Sequence, residues 1–241
     1  MPIAFEDLRA LHDSGALYAA LSQLLLKEGV EERLGGEFDY AADLAADSFV
    51  FTGRTSGVTI NTTVELMASV APGPQSVRWG RALPTGGRAG AQLILERGHA
   101  DGLLSLLNDE VSFPGGDDPD AAAEYAALEI GAVVAAVTGG GPTYIVAVGG
   151  GTLAVLLLGD LDFAQPRIDP RFPTRVPMAL GAGTIEDHRS AIHGLAAMSG
   201  WTIDWAGNWS RAELTDPVTG NSATAEFDEY ARLTALRASL G

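Results

Sequence analysis

Cysteine is absent from this 241-residue chain, and the absence excludes several kinds of site. Without thiols there are no disulfides, no cysteine nucleophile, no thiolate zinc site and no cysteine-ligated iron–sulfur cluster. Lysine is almost absent too, since Lys27 is the only one. A P-loop needs a lysine beside its phosphates, and a pyridoxal-phosphate enzyme needs one for its Schiff base. Lys27 lies near the end of a predicted amphipathic helix, where lysine is an ordinary dipole partner, and no glycine-rich loop precedes it, so both enzyme classes are disfavoured.

Positive charge is scarce. The chain has 15 lysines and arginines against 31 acidic residues, which gives a formal net charge of −16. A phosphate backbone would be repelled by that field, so we expect neither a nucleic-acid nor an anionic-membrane partner. The acidity either keeps the protein soluble or suits it to a basic partner. The first residues, "MPIAFEDLRALHD", lack the basic-then-apolar order of a signal peptide, so we expect a cytoplasmic protein.

Long uninterrupted apolar runs are also missing. The most apolar stretch is "YIVAVGGGTLAVLLLGD", from Tyr144 to Asp160, and three glycines divide it. A membrane-spanning helix needs about 20 continuous apolar residues. The apolar segment before it carries Glu124 and Glu129. We therefore expect no membrane span.

The same stretch matches a short cofactor motif. Gly149 to Ala154 fits the G-x-G-x-x-A pattern of dinucleotide-binding loops, but such a loop must open a helix. Only "TLAVLLL" follows before Gly159, and seven residues rich in Val, Leu and Thr favour a strand. We therefore predict a β-hairpin with a glycine turn and no cofactor.

Periodicity and turn residues predict the remaining elements. Helices are expected over Phe5 to Glu28 with a stop at Gly29, over 88–109, after an N-cap at Asp118, and after an N-cap at Thr184. Strands are expected between 37 and 70, over 75–83, over 174–180 as an edge strand containing Pro177, and as a meander of two or three strands after Trp201. The fold class is therefore α+β, with helices packed on antiparallel sheets. The linker "FPGGDDPD" divides it into two similar-sized halves, 1–114 and 119–241.

Tryptophans next to arginines form one candidate site. Trp201 and Trp205 share one face of a predicted strand, and Trp209 follows it. Tryptophans usually anchor a core, but exposed ones mark partner surfaces, because Trp and Arg dominate binding hot spots. Burial of Trp205 and Trp209 distinguishes the two interpretations. The candidate partner surface comprises Trp79, Arg78, Arg81, Trp205 and Trp209.

A second candidate site lies in the glycine loop "LGAGTIEDHR", which precedes a predicted helix. Backbone amides after Gly183 are suited to an anion, and His188 and Arg189 complete a ligand site. Glu186 and Asp187 in the first turn would repel phosphate, so a capped helix start is the favoured interpretation. His188 and His193 point about 140° apart on a helix and are unsuited to sharing a metal. We predict no metal site and no catalytic residue set.

Three segments carry a resemblance to known proteins. "FVFTG", "TINTTVELMASV" and "SVRWGRALP", followed by an Ala-rich helix, make residues 5–158 similar to an uncharacterised bacterial domain family of unknown function. That resemblance implies no activity. The order of elements also resembles the α/β fold of bacterial secretion chaperones, which are acidic dimers that bind unfolded partner segments.

Two functional hypotheses follow. The first is a non-catalytic protein-binding or chaperone-like module with an unidentified protein partner; it predicts an exposed aromatic patch and a homodimer. The alternative is a small-ligand-binding protein or enzyme that uses residues 181–189; it predicts a concave pocket with a titratable cluster beside His188.

Overall fold

The structure is a computed structural model that describes residues 4–84, 89–159, 161–182 and 185–241. Within these ranges the chain forms six α-helices and two antiparallel sheets, which confirms the predicted α+β class. The helices are α1 (Arg9–Leu34), α2 (Ala89–Asp101), α3 (Leu104–Leu107), α4 (Pro119–Thr138), α5 (Phe172–Ala182) and α6 (His188–Ser199). The strands are β1 (Phe38–Asp43), β2 (Ser48–Gly53), β3 (Thr59–Ala71), β4 (Ser76–Trp79), β5 (Glu110–Ser112), β6 (Thr143–Gly149), β7 (Thr152–Leu158), β8 (Thr202–Trp205), β9 (Arg211–Thr215), β10 (Ser222–Phe227) and β11 (Leu233–Ser239).

The first sheet contains the glycine-divided apolar stretch as a hairpin. Strands β1 to β5 lie in chain order, β7 pairs with β3, and β6 pairs with β7. Gly149, Gly150 and Gly151 have φ angles of 106°, 59° and 74°, a region that glycine adopts without steric cost. Because β7 follows this turn at Thr152, the predicted hairpin is confirmed.

Strand β7 separates two hydrophobic clusters, since alternate side chains of a strand point to opposite faces. Leu156 and Leu158 pack with Phe49 and Phe51 of β2 on one face. Val155 packs on the other face with the side chains of α4. The first sheet is therefore covered on both faces.

Helix α4 covers the first sheet and begins as the sequence predicts. The Asp118 carboxylate accepts a hydrogen bond from the Ala121 amide (3.0 Å), and Pro119 occupies the first turn. Among the described helices, α4 alone is long and apolar enough to cross a membrane by length and composition, but 61% of its apolar window is buried inside the protein. That burial is typical of a core helix.

The predicted linker at 113–120 connects β5 to α4. β3 precedes the linker and is hydrogen-bonded to β7, which follows it. The division into residues 1–114 and 119–241 stays a prediction about domains, and the first sheet takes strands from both sides of it.

Helix α1 is longer than predicted. It continues past Gly29, the expected stop, and ends at Gly35 in the left-handed conformation (φ 76°). A Cβ at Gly29 would lie 2.3 Å from a ring carbon of Phe163, so this glycine allows close packing inside the helix. The prediction was wrong because a packing glycine and a capping glycine look alike in sequence.

The segment around Pro177 is a helix, so the predicted edge strand over 174–180 is wrong. Phe172, Val176 and Leu180 of α5 recur every four residues, and all three are buried in the C-terminal cluster. Pro177 lies inside the helix on its exposed side. Burial of the apolar stripe offsets the hydrogen bond that proline cannot make.

The C-terminal sheet is a meander in the order β11-β10-β9-β8, with four strands where two or three were expected. Its inner face packs against α6 and α5 through Ala212, Leu214, Ala225 and Phe227, among others. Its outer face is mostly polar. β8 is an edge strand that pairs only with β9 in the described part of the chain.

Candidate functional site

A concave site of about 470 Å³ lies between α1, α6 and the β8–β9 turn. We call it the tryptophan pocket. It brings together two indoles, an imidazole, a guanidinium, a carboxylate and two hydroxyls. The lining residues are Ser14, Asp187, Arg189, Ser190, His193, Trp205 and Trp209.

Trp205 forms the inner wall of the pocket. It is the last residue of β8, and its cross-strand partner is the small Ala212. Its ring therefore reaches across the inner face to Phe227, with ring centroids 5.5 Å apart. The indole Nε1 donates to His193 Nδ1 (3.3 Å), and the two ring planes are inclined by 23° with their centroids 6.4 Å apart. Trp205 is half-buried and held in position from two sides.

Trp209 stands at the mouth of the pocket. It lies in the β8–β9 turn, where 56% of its surface is exposed, and its ring centroid is 5.3 Å from that of Trp205. Its φ angle of 60° places a bulky residue in the left-handed region, which costs backbone energy. The turn is closed by its amide, which donates to the Ala206 carbonyl (2.9 Å).

Arg189 supplies the positive charge. It donates to the backbone carbonyl of Asp228, and its guanidinium carbon lies 6.0 Å from the Phe227 ring centroid. Its Nε atom is buried and has no hydrogen-bond partner among the described residues. A buried donor without a partner costs free energy.

The helix start beside the pocket is filled by the chain's own carboxylates. The amides of Arg189 and Ser190 donate to Asp187, the N-cap of α6, at 2.9 and 3.0 Å. The amides of Glu186 and Asp187 donate to buried Asp13. The capped helix start favoured by the sequence is therefore present, with Asp187 as the cap. Gly183 and Thr184, predicted as the anion loop and the N-cap, lie outside the described residues.

His188 does not line the pocket. Its Nδ1 accepts from the Leu233 amide (3.0 Å), and its Nε2 lies 3.2 Å from the Arg232 guanidinium. Burial and the positive charge of Arg232 lower the pKa of His188 below its usual 6.5. The ring links α6 to Arg232 and to the start of β11, and its predicted role as a ligand group stays a prediction. The described residues contain no group of three or more His, Asp or Glu suited to a metal.

Trp79 belongs to the core. Only 1% of its surface is exposed, and its Nε1 donates to the Ser105 carbonyl (2.8 Å). Arg81 pairs with Asp109 (3.0 Å), and Arg78 lies 3.7 Å from Glu110. These contacts fasten β4 to the segment around β5. The prediction that Trp79 contributes to a partner surface is therefore wrong, because its ring cannot reach a partner.

A second concavity, of about 600 Å³, was not predicted. Tyr18 on its wall donates to Gln165 Oε1 (2.9 Å) and accepts from the Gly141 amide (3.0 Å). Glu65 accepts from the amides of Gly90 and Ala91 at the start of α2. Because its aromatic residue, Tyr18, is buried whereas Trp209 is mostly exposed, the tryptophan pocket is the stronger candidate for binding a partner.

Comparison with known families identifies the first two-thirds of the chain. The model of a family of unknown function (DUF6882) matches residues 9–161, which is more than half of the sequence. The chain belongs to this family. This confirms the resemblance inferred for residues 5–158. No curated protein and no solved structure matches the chain.

The family match ends before the C-terminal sheet. It covers α1 to β7, and of the seven residues that line the tryptophan pocket only Ser14 lies within it. The sequence signal that led to the pocket was the spacing of Trp205 and Trp209. Ser14 and His193 were not predicted as pocket residues, because their proximity to the indoles depends on the packing of α1 against α6.

Proposed function

We propose that this chain is a non-catalytic protein-binding module and that the tryptophan pocket receives the partner. The observation that supports this is the pair of indoles at one concave surface, with Trp209 more than half exposed. Exposed Trp beside Arg is the composition of binding hot spots, where a few side chains provide most of the affinity.

The fold itself gains little from an indole at position 209. Trp205 is its only aromatic ring partner among the described residues, and its backbone is in a costly conformation. Strained residues collect at ligand-binding sites, where function maintains them. The rim of the pocket is polar, with Ser14, Ser190 and Asp187, as in a protein interface with an apolar centre.

The experiment compares capture of cellular proteins by three purified forms of the chain: wild type, Trp209→Ala and Tyr125→Ala. Tyr125 is the control, since it is an exposed aromatic on α4, in the part of the chain that carries the first sheet. A protein captured by wild type and Tyr125→Ala is then purified and titrated against all three. We expect Trp209→Ala to weaken its affinity by about 30-fold, the effect of a 2 kcal/mol hot spot.

Two results would contradict the proposal. One is equal affinity of the purified partner for wild type and Trp209→Ala. The other is capture that depends on Tyr125, which would place the binding surface on α4.

The alternative function, small-ligand binding, is favoured by one observation. Arg189 lines the pocket and forms no ion pair within the described residues, so its charge is available to an anionic ligand. A thermal-shift screen of small carboxylates and phosphates tests it. A ligand at about a hundred times its Kd adds about 2.7 kcal/mol of stability, and this gain should vanish in Arg189→Gln.

A further inference from the structure

The edge of the C-terminal sheet next to the tryptophan pocket is open. β8 pairs with β9 from Thr202↔Thr215 to Trp205↔Ala212. On its other side no backbone hydrogen bond joins residues 202–205 to a described element. An unpaired strand edge is a template for another strand, and many peptide-binding proteins use it in that way.

Charge on the outer face of this edge is unbalanced. Asp204 lies directly opposite Glu213, and like charges in that position repel. Glu213 is paired with Arg211 on its own strand. Asp204 is exposed, and within the described ranges it has no ion pair. A basic side chain on a strand added beside β8 would lie opposite Asp204 and neutralise it.

The inner face of the same edge leads into the pocket. Ile203 and Trp205 point inward along β8, and Trp205 lines the pocket with Trp209. Because side chains alternate along a strand, the neighbours of a residue opposite Asp204 would point toward these indoles. An apolar side chain there would cover the exposed surface of Trp209.

We infer that the partner contributes an extended segment with alternating basic and apolar residues, which pairs with β8 as a fifth strand of the C-terminal sheet. This inference rests on the proposed function and specifies the partner's chemistry. A second copy of the chain is the wrong occupant, because its own edge would place Asp204 near Asp204 and bring a further net charge of −16.

The test uses a fluorescein-labelled peptide of alternating lysine and valine, about eight residues long, followed by fluorescence anisotropy. Two further peptides separate the contributions to binding. One replaces lysine by glutamate, and the other carries N-methyl groups on the backbone of alternate residues, which removes the donors that pair with a strand edge. We expect the Lys–Val peptide to bind and the other two to bind at least about tenfold more weakly.

Three variants locate the binding. Asp204→Lys should weaken the Lys–Val peptide by at least about tenfold and strengthen the Glu–Val peptide. Glu124→Lys, the same charge change at an exposed position of α4, should leave both unchanged and so controls for attraction to the net charge. Trp209→Ala should weaken the Lys–Val peptide as well.

The possible failures are distinguishable. The added strand is overturned if the Lys–Val peptide does not bind wild type, or if backbone methylation or Asp204→Lys leaves its affinity unchanged. The proposed function is not affected by that result, because it is tested with the purified cellular partner. If a partner from cells binds wild type and Trp209→Ala alike, the proposed function fails. A wild-type dimer on size-exclusion chromatography that becomes monomeric on adding the Lys–Val peptide would overturn the exclusion of a second copy as occupant of the edge.

Discussion

Tryptophan and arginine occur together in two regions of the chain, and the regions differ in the exposure of the indole and the pairing of the arginine. Around Trp79 the indole is buried and Arg81 is paired with Asp109. Around Trp209 the indole is mostly exposed, and Arg189 lines the adjacent pocket and forms no ion pair within the described residues. Tryptophan and arginine therefore stabilise the core in one region and line a pocket in the other.

Position in the sheet explains the difference. Trp79 ends β4, which lies between β3 and β5 and faces the buried side chains of α2 and α4. Trp205 ends β8, an edge strand, and Trp209 lies in the turn that follows it. A tryptophan inside a sheet is covered by its neighbours, whereas one beside a sheet edge stays available to a partner.

The largest expected effect tests this contrast by truncation. Trp79→Ala should lower the free energy of unfolding by about 3–5 kcal/mol, because it leaves a cavity in the core. Trp209→Ala should change it by less than about 1 kcal/mol, since the ring is mostly exposed. Urea unfolding measures both. Similar losses for the two variants would show that the regions do not differ as described.

A smaller effect is expected at the helix caps of the two regions. Asp187 accepts two amides and the Ser190 hydroxyl, whereas Asp118 accepts one amide, that of Ala121. Replacement of either by alanine should cost about 0.5–2 kcal/mol, with the greater loss for Asp187→Ala. Urea unfolding of both variants checks the order. Asn at each position serves as the control, because it keeps the cap.

The smallest expected effects are changes in folding stability with pH, and they have opposite signs in the two regions. The pKa of His188 is lowered from 6.5 by burial and by Arg232, so its contribution to stability is present above pH 6.5 and decreases as pH falls below it. Burial raises the pKa of Glu129 from 4.5, so its contribution is present below pH 4.5 and decreases as pH rises through the raised value.

Urea unfolding over a pH series measures these contributions. His188→Gln should lessen the loss of stability below pH 6.5, and Glu129→Gln should lessen the loss above pH 4.5. A pH profile that neither substitution changes would rule out both assignments.

Local chemistry made part of the fold predictable. The glycine turn of the β6–β7 hairpin and the Asp118–Pro119 start of α4 are signals carried by adjacent residues, and both are confirmed. The errors at Gly29 and Pro177 have another origin. In each case a distant contact, with Phe163 or with the C-terminal cluster, overrides the local meaning of the residue.

The same contrast between local signals and distant contacts applies to the residues of the candidate site. Trp205 can be predicted because it alternates with Trp201 and Ile203 along a strand, and Trp209 because it follows that strand closely. His188 is predicted as a ligand group, yet its ring accepts a hydrogen bond from the Leu233 amide at the start of β11, 45 residues away in the chain. His193, five residues further along α6, lines the pocket instead. Which of two histidines on one helix faces a cavity depends on how the helix packs.

Helix α1 contributes side chains to all three hydrophobic clusters of the described structure. Leu11 packs with α4, Leu17 and Leu21 pack with the C-terminal cluster, and Leu26 packs beneath β2. A shortened protein that stops at Leu161, where the family match ends, would leave Leu17 and Leu21 facing water. Such a fragment should aggregate, because α5 and α6, which pack against α1, lie beyond its end. The C-terminal part of the chain therefore covers α1 as well as forming the pocket.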